Sequence, residues 1–364
     1  MKSVAVIFGG QSTEHDVSCI TGVLTTNAVD YFKYKVTPIF ISREGKWFTG
    51  EILKDIAFYK TPDYKKLKQV TIVAGDNTLY EVKRGKLKKI ENIACAINCT
   101  HGEGGEDGSI YGLLSLSGIA VVGSGITASG IAIDKIATKQ ALAGIRVKTL
   151  PYLLVDSDGD LIKAETKLGY PMIVKPVTQG SSIGVNKATD RKGLEKSVLK
   201  AKKFDQRVMV EKCAQNFFEI NVAIYRGEKD LNVSLCEMPK TTSEFLTFED
   251  KYISGERVFP APISDGLSNK IRSIAKKVYL ALNFSGVIRI DFIVSGGEVF
   301  VNEINSVPGS MAYYLFYENI KGFTYMLTDM IECALQDFNK KSTLIKKFDC
   351  SVLEIKSAKG GKRL

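Results

Sequence analysis

Between Gly286 and Gly309 the chain spells out a β-hairpin. It runs Gly286-Val-Ile-Arg289-Ile-Asp291-Phe-Ile-Val294, turns at Ser295-Gly296-Gly297, and returns through Val299-Phe-Val-Asn-Glu303-Ile-Asn305-Ser-Val-Pro308-Gly309. Both arms alternate polar and apolar with period two, and the turn is glycine-rich. Alternation puts Arg289 and Asp291 on one face of the first strand, and Glu303 and Asn305 on one face of the second. If the strands pair, two carboxylates, an amide oxygen and a guanidinium converge on one patch. Such a donor set suits a hard divalent cation such as Mg2+, which is held by few protein ligands plus substrate phosphates. An ordinary sheet with a charged solvent face would show the same alternation, so the remaining loops must decide.

At 364 residues the chain exceeds one typical core and predicts two or three domains. Its 45% apolar and 25% charged content is ordinary for a globular protein, and only 356–364 is biased enough to suggest disorder. No apolar run approaches the roughly 20 residues that span a bilayer. The strand-like start Val4–Phe8, with no small-residue cleavage site, shows no signal peptide and predicts a cytoplasmic location. Seven cysteines lie scattered, with Cys95 and Cys99 the one close pair, which predicts reduced, mostly buried thiols. The net charge of +10 raises nucleic acid as a partner. The excess, however, sits in helix-like stretches such as 191–203 and in the tail, without interleaved aromatics. Solvated faces that help attract an anionic nucleotide, with no nucleic-acid or membrane partner, are the better reading.

Residues 1–123 alternate strand, turn and helix. Val4–Phe8 leads through Gly9-Gly10 to Glu14-His15-Asp16 and a helix-like stretch, Tyr34–Ile41 follows, and a strand over 93–98 leads to His101-Gly-Glu-Gly-Gly-Glu106-Asp107-Gly108 and a helix from Ile110. That order predicts a parallel sheet with functional loops at the strand C-terminal ends. Asp134-Lys135 opens a helix ending near Gly144. Residues 150–210 predict a small mixed unit, with strands 152–155, 172–175 and 208–211 and a helix near 160–168. Strands then dominate to the hairpin, flanked by helices over 268–282 and 323–336.

Gly9-Gly10, between a buried strand and a helix, can present backbone N–H groups to an anion, but the dinucleotide-binding pattern is absent. Glu14 sits in the first helical turn, where it is either a functional carboxylate or a simple cap with Ser12. His15 and His101, the two histidines, both lie in loops after strands, which makes a core role less expected. The loop Lys175-Pro-Val-Thr-Gln-Gly180-Ser181-Ser182-Ile-Gly184 joins two strands as a flap of N–H and O–H donors suited to phosphate. Glu211-Lys212-Cys213 ends a strand and Glu219 lies eight positions beyond Glu211; these carboxylates can accept from an amino group or a ribose hydroxyl, with surface salt bridging the default.

Taken in order, these segments closely resemble the D-alanine–D-alanine ligases of the ATP-grasp superfamily. The marks are Phe8-Gly-Gly-Gln-Ser-Thr-Glu-His-Asp-Val-Ser18, His101–Gly108, Val122-Gly-Ser-Gly125, Asp134-Lys135, Val174-Lys-Pro with Gly180–Gly184, Glu249-Asp-Lys251-Tyr252, Arg289-Ile-Asp291, and Asn302-Glu-Ile-Asn305 with Pro308-Gly309. The resemblance implies an α/β protein of ATP-grasp fold in three domains: an N-terminal parallel α/β substrate domain (1–123), a central ATP-grasp part (124–210) and a C-terminal part with the metal and catalytic site (211–364). It implies ATP as co-substrate, two Mg2+ or Mn2+ ions on Asp291, Glu303 and Asn305, and a homodimer. Lys135 and Lys175 would contact the phosphates, with Ser182, Lys212, Phe245 and Lys251 also nucleotide-binding. Glu211 and Cys213 would border the adenine and Glu219 the ribose. Glu14 would bind the ammonium of the first D-alanine, steadied by Ser181 and by Tyr252 from the segment 244–255, which would act as a lid. Arg289 and the Gly309 N–H would stabilise the oxyanion, and His101 would lie beside the first carboxyl group.

The implied reaction forms an acylphosphate from the first D-alanine and ATP, which the amine of the second then attacks. One departure concerns the second substrate. Members commonly place a serine, then an aliphatic residue, after the Pro-Gly turn to hold its carboxylate. Here Tyr314 stands at the serine's position and Leu315 is retained, so Tyr314 or Ser310 is expected to replace it. Glu211 to Glu219 is also one residue longer than the usual spacing. A D-alanine–D-serine ligase and a non-catalytic nucleotide-binding protein on the same scaffold remain as alternatives; Lys251-Tyr252 argues against a lactate-type ligase.

Overall fold

β1 (Lys2–Gly9) carries the run Val4–Phe8, whose side chains are all wholly buried. A strand covered on both faces belongs inside a parallel sheet. It lies between β2 (Tyr34–Ile41) and β7 (Cys95–Asn98), parallel to both, and β8 (Ala120–Val122) adds a parallel edge beside β7. The computed structural model describes residues 1–240, 257–345 and 347. Within them the first sheet has eight strands, because an antiparallel ribbon extends it beyond β2 in the order β6-β5-β4-β3-β2-β1-β7-β8. The ribbon comprises β3 (Trp47–Thr49), β4 (Lys68–Ile72), β5 (Thr78–Lys83) and β6 (Lys86–Asn92). Sequence reading assigned nothing to this stretch: its strands are short, and three 3-10 turns in succession interrupt the chain between β3 and β4, so no period runs long enough to register.

Helices α1 (His15–Ala28), α2 (Ser109–Leu116), α3 (Ile126–Ile133) and α4 (Lys135–Gly144) connect and follow this sheet. Asp134 fixes the start of α4, its carboxylate accepting from Ala137 N at 2.8 Å, a side-chain N-cap. A second sheet holds β9 (Tyr152–Val155), β10 (Met172–Pro176), β11 (Asn186–Ala188) and β12 (Val208–Lys212) in the order β11-β10-β12-β9. Its helices are α5 (Asp158–Leu168) and α6 (Arg191–Ala201).

The third sheet has the order β14-β13-β17-β18, from β13 (Phe217–Arg226), β14 (Leu231–Val233), β17 (Val287–Ser295) and β18 (Glu298–Asn305). A small ribbon pairs β15 (Met238–Pro239) with β16 (Arg257–Val258). The hairpin read from the sequence is β17–β18, with Arg289 opposite Asn305 and Asp291 opposite Glu303. One irregularity was not anticipated: Phe292 pairs with Val301, so Asn302 is the extra residue of a β-bulge. Helices α7 (Asp265–Ala281) and α8 (Ile320–Ser342) begin three residues earlier than apolar spacing alone suggests, because Ser264 and Asn319 cap them.

The apolar face of α8, with Phe323, Met326, Leu327, Met330 and Ile331, shares one core with Val4, Val6 and Phe8 of β1. α8 thus closes one side of the first sheet. Among the described residues no helix is long and apolar enough to cross a membrane, and every described cysteine is a free thiol.

Candidate active site

Glu14 shows how the fold converts a local motif into a site. It is the residue before α1, yet its side chain caps nothing; the Glu14 N–H instead reaches Ser12 Oγ at 3.2 Å. The carboxylate turns across to the flap after β10 and accepts a short hydrogen bond from the Ser181 hydroxyl. The chain can pass there because residue 180 is glycine: a Cβ would sit 2.9 Å from Glu14 Oε2. Ser181 and Ser182 both hold left-handed backbone, φ 51° and 59°, which is uncommon for residues other than glycine.

Glu14 and Ser181 line a cavity of about 360 Å³ with His101, Glu106, Asn221, Glu237, Arg257, Arg289, Glu303, Asn305, Gly309, Ser310 and Tyr314. A narrower cleft of about 80 Å³ lies on the other side of the hairpin face, lined by Lys135, Lys175, Ser182, Glu211, Lys212, Cys213, Glu219, Asp291, Asn302 and Glu303. The residues expected around nucleotide therefore fall in one space and those expected around the amino acids in the other. Glu303 lines both. Phe245, Lys251 and Tyr252 lie outside the described residues.

The hairpin patch forms because the bulge at Asn302 shifts the register, so that Glu303 and Asn305 come opposite Asp291 and Arg289. Arg289 grips Asp291 with two hydrogen bonds, Nε to Oδ1 at 2.7 Å and Nη2 to Oδ2 at 2.9 Å, and Asn305 Nδ2 donates to Asp291 Oδ2 at 3.2 Å. Lys135 Nζ lies 3.7 Å from Glu303. The bulge brings Asn302 to the same cleft, where its Oδ1 accepts from Lys175 Nζ at 3.1 Å. Two carboxylates and two amides thus face ammonium and guanidinium groups, an arrangement in which positive charge is already demanded.

Glu211 is not a surface salt-bridge partner, because it is wholly buried between two lysines. It takes Lys175 Nζ at 2.6 Å on one oxygen and Lys139 on the other. Burial works to raise its pKa, but the two ammonium groups outweigh this and the net shift is downward. Burial depresses the pKa of Lys139, opposed chiefly by Glu211. Sequence reading missed Lys139, although it lies four residues after Lys135 on one helix and therefore on the same face. It also gave no role to Glu106, whose carboxylate accepts from Gly102 N at 2.9 Å and Val307 N at 3.2 Å. Burial, with Glu14 nearby, pushes that carboxyl up to about 8.

Three expectations change. His15 is a buried structural residue, its Nδ1 2.7 Å from Gly10 O and its ring edge-on to Phe40. His101 is also buried, against the expectation for a loop histidine, with Nε2 3.1 Å from Thr21 Oγ1; burial beside Arg289 lowers it to about 3. Leu315 is not brought to the cavity, because the turn after Gly309 points it into the core shared with α8. In that turn Ser310, Met311 and Ala312 are all left-handed, φ 51°, 53° and 47°, and the Ser310 N–H reaches Thr21 Oγ1 at 3.0 Å.

Known proteins match the chain along most of its length. The family model described as D-ala D-ala ligase N-terminus matches residues 3–124, and that described as D-ala D-ala ligase C-terminus matches residues 147–335. A D-alanine–D-alanine ligase of Thermosipho melanesiensis is 37% identical over 99% of this chain and 100% of its own. That of Clostridium novyi is 34% identical over 93% and 99%. Among solved structures, the D-alanine-D-alanine ligase from Coxiella burnetii superposes with a TM-score of 0.82 at 23% identity, covering 98% of this chain and 99% of that one. The VanG D-Ala:D-Ser ligase from Enterococcus faecalis gives 0.78 at 27% identity, covering 92% and 99%. A flap on Glu14, a charged hairpin between two cavities and full-length matches to both halves agree: the chain belongs to the D-alanine–D-alanine ligase family.

Proposed function

We propose that the two cavities are the two sides of one ligase centre, with nucleotide in the narrow cleft and both amino acids in the larger space. The activity is ATP-dependent joining of two D-alanine molecules, which supplies the dipeptide for cell-wall synthesis. The observation that carries the division of labour is Glu303, whose side chain borders both spaces.

In this reading Lys135 and Lys175 hold the phosphates, so Lys175 exchanges its bond to Glu211 for one to nucleotide, while Lys139 keeps Glu211 neutralised. Glu211 and Cys213 border the base, Lys212 and Ser182 lie at the cleft's edge, and Glu219 takes the ribose. Glu14, oriented by Ser181, binds the first ammonium group. A carboxylate oxygen of the first D-alanine attacks the γ-phosphorus and ADP leaves, giving an acylphosphate. The amine of the second D-alanine attacks the acyl carbon and loses a proton, and phosphate departs. Arg289 and the Gly309 N–H stabilise the oxygen that becomes negative between those events, where fixed donors are most effective. His101, kept neutral by burial, lies beside the first carboxyl group.

Asp291, Glu303 and Asn305 suit Mg2+ or Mn2+: they are hard oxygen donors on adjacent strands, and the patch already gathers cationic side chains around its carboxylates. Bound there, divalent ions would neutralise charge on the transferring phosphoryl group. The three-domain division, the homodimer and a cytoplasmic location belong to the same proposal, on the strength of the family likeness.

The test is release of ADP with purified protein, ATP and each D-amino acid in turn. D-Alanine alone should support turnover, with D-alanyl-D-alanine as product; absence of D-alanine-dependent ADP release overturns the reading. Tyr314 at the family's serine position, together with the likeness to a D-Ala:D-Ser ligase, favours one second reading, in which D-serine is the better second substrate. Competition between D-alanine and D-serine in one reaction separates the two.

A further inference from the structure

The large cavity contains a cation that the reaction as described does not use. Arg257, in β16, lines it beside Ser310 and Tyr314. Its guanidinium lies over the Tyr314 ring, 4.2 Å from the centroid, a stacking arrangement that the planar guanidinium favours over an ammonium. Nη1 donates to Glu237 Oε1 at 3.1 Å, and this is the one hydrogen bond of the Arg257 side chain among the described residues. The group is thus fixed in two directions with most of its N–H donors unspent.

Its anchor is itself built in. Glu237 is 4% exposed, and its second oxygen accepts from Asn221 Nδ2 at 3.0 Å. Asn221 is 5% exposed and its Oδ1 has no hydrogen-bond partner among the described residues. One carboxylate therefore holds, side by side, a guanidinium with spare donors and a buried acceptor with none of its capacity filled. Those are the two poles that an amino-acid zwitterion presents.

We propose that Arg257, held flat by Tyr314 and tied to Glu237, receives the carboxylate of the second amino acid in place of the serine that Tyr314 displaces. The proposal rests on the ligase reading above and deepens it: the second substrate must carry a free α-carboxylate, and an arginine rather than a hydroxyl recognises it. Tyr314 acts through its ring as the platform for Arg257. It is a positioning residue, so removing its hydroxyl alone should matter little. This inverts the sequence-based expectation for that hydroxyl.

The experiment compares D-alanine with D-alaninamide as acceptors in the presence of ATP and the first D-alanine. Wild type should prefer D-alanine strongly, because the amide cannot accept a charge-assisted pair from the guanidinium. Arg257→Met should raise KM for the second D-alanine by about ten- to a hundredfold, the effect of losing hydrogen bonds to a charged group, and should reduce the preference over the amide by the same factor. Arg257→Lys, which keeps the charge and loses the fork, should recover part of it. Tyr314→Phe should keep the preference and Tyr314→Ala should lose it. An unchanged preference in Arg257→Met overturns the proposal, as does a Tyr314→Phe variant that loses it. Trapping the acylphosphate with hydroxylamine monitors the first half-reaction separately: wild type that forms no hydroxamate from D-alanine refutes the ligase reading, whereas hydroxamate formation with an unaltered acceptor preference refutes only the role of Arg257.

Discussion

Arg289 stands where two demands meet. Two of its N–H groups grip Asp291 as a bidentate pair, and burial, outweighed by that carboxylate, leaves its pKa well above the ordinary value. It is therefore a permanent, preorganised cation. Arg289→Lys should lower kcat by two to three decades, about 3–4 kcal/mol of transition-state stabilisation, while moving KM far less. Steady-state kinetics decide the matter: unchanged kcat with a raised KM for ATP would make Arg289 a nucleotide-binding group instead. His101 gives a prediction of opposite kind, about stability. Burial, aided by Arg289, depresses its pKa from 6.5 to about 3, so the folded state binds fewer protons than the unfolded chain between those values. The stability this confers is present above pH 6.5 and is lost as pH falls toward 3. The thermal midpoint of the wild type should drop more steeply from pH 7 to pH 4 than that of His101→Gln. Parallel curves by calorimetry would show that His101 titrates normally.

Among the elements, the two arms of the hairpin and their turn were legible from period two and the glycines, but the register was not, because a bulge sets it. The bulge at Asn302 does leave a mark, a change of phase between the buried positions Val299, Val301 and Ile304 across the polar pair Asn302-Glu303, but a strict period-two reading passes over it. The flap after β10 and the capped start of α4 were also readable, each from glycine, hydroxyl or Asp at a definite place. Glu237 and Arg257 escaped because the chain between β15 and β16 carries no period, and their meeting depends on a two-residue ribbon. Lys139 had a signal in its i+4 spacing from Lys135; Asn221 had only a position opposite Asp291 in a neighbouring strand. At the end of β1, Gly9 has φ +91°, and a Cβ there would fall 2.1 Å from Ile41 O. Backbone cannot yield as a side-chain tip can. Gly9→Ala should destabilise by at least ~2 kcal/mol, from left-handed strain plus overpacking, measured as a shift in the denaturant midpoint.

For the whole molecule, α8 and β1 share one core although some three hundred residues separate them in sequence. Leu327 is fully buried there with Val4, Val6 and Phe8, and Tyr34 donates to Glu332 of α8 at 2.6 Å. The one tryptophan, Trp47, sits in β3 of the first sheet and reports on that sheet alone. Leu327→Ala should cost about 2–5 kcal/mol, and the loss should appear in Trp47 fluorescence although the substitution lies in α8, far from β3 in sequence. A Trp47 transition that does not move would mean that the first sheet unfolds without reference to α8. Glu303 carries a different whole-molecule consequence. It is a wall common to both cavities, so with nucleotide and amino acid placed in them as proposed, each ligand is expected to be an effector of the other, and equilibrium reciprocity fixes the size of the effect in both directions. Whatever factor a non-hydrolysable ATP analogue applies to the affinity for D-alanine, D-alanine must return to the analogue, and replacing the shared wall by Glu303→Gln should change both factors together in paired calorimetric titrations.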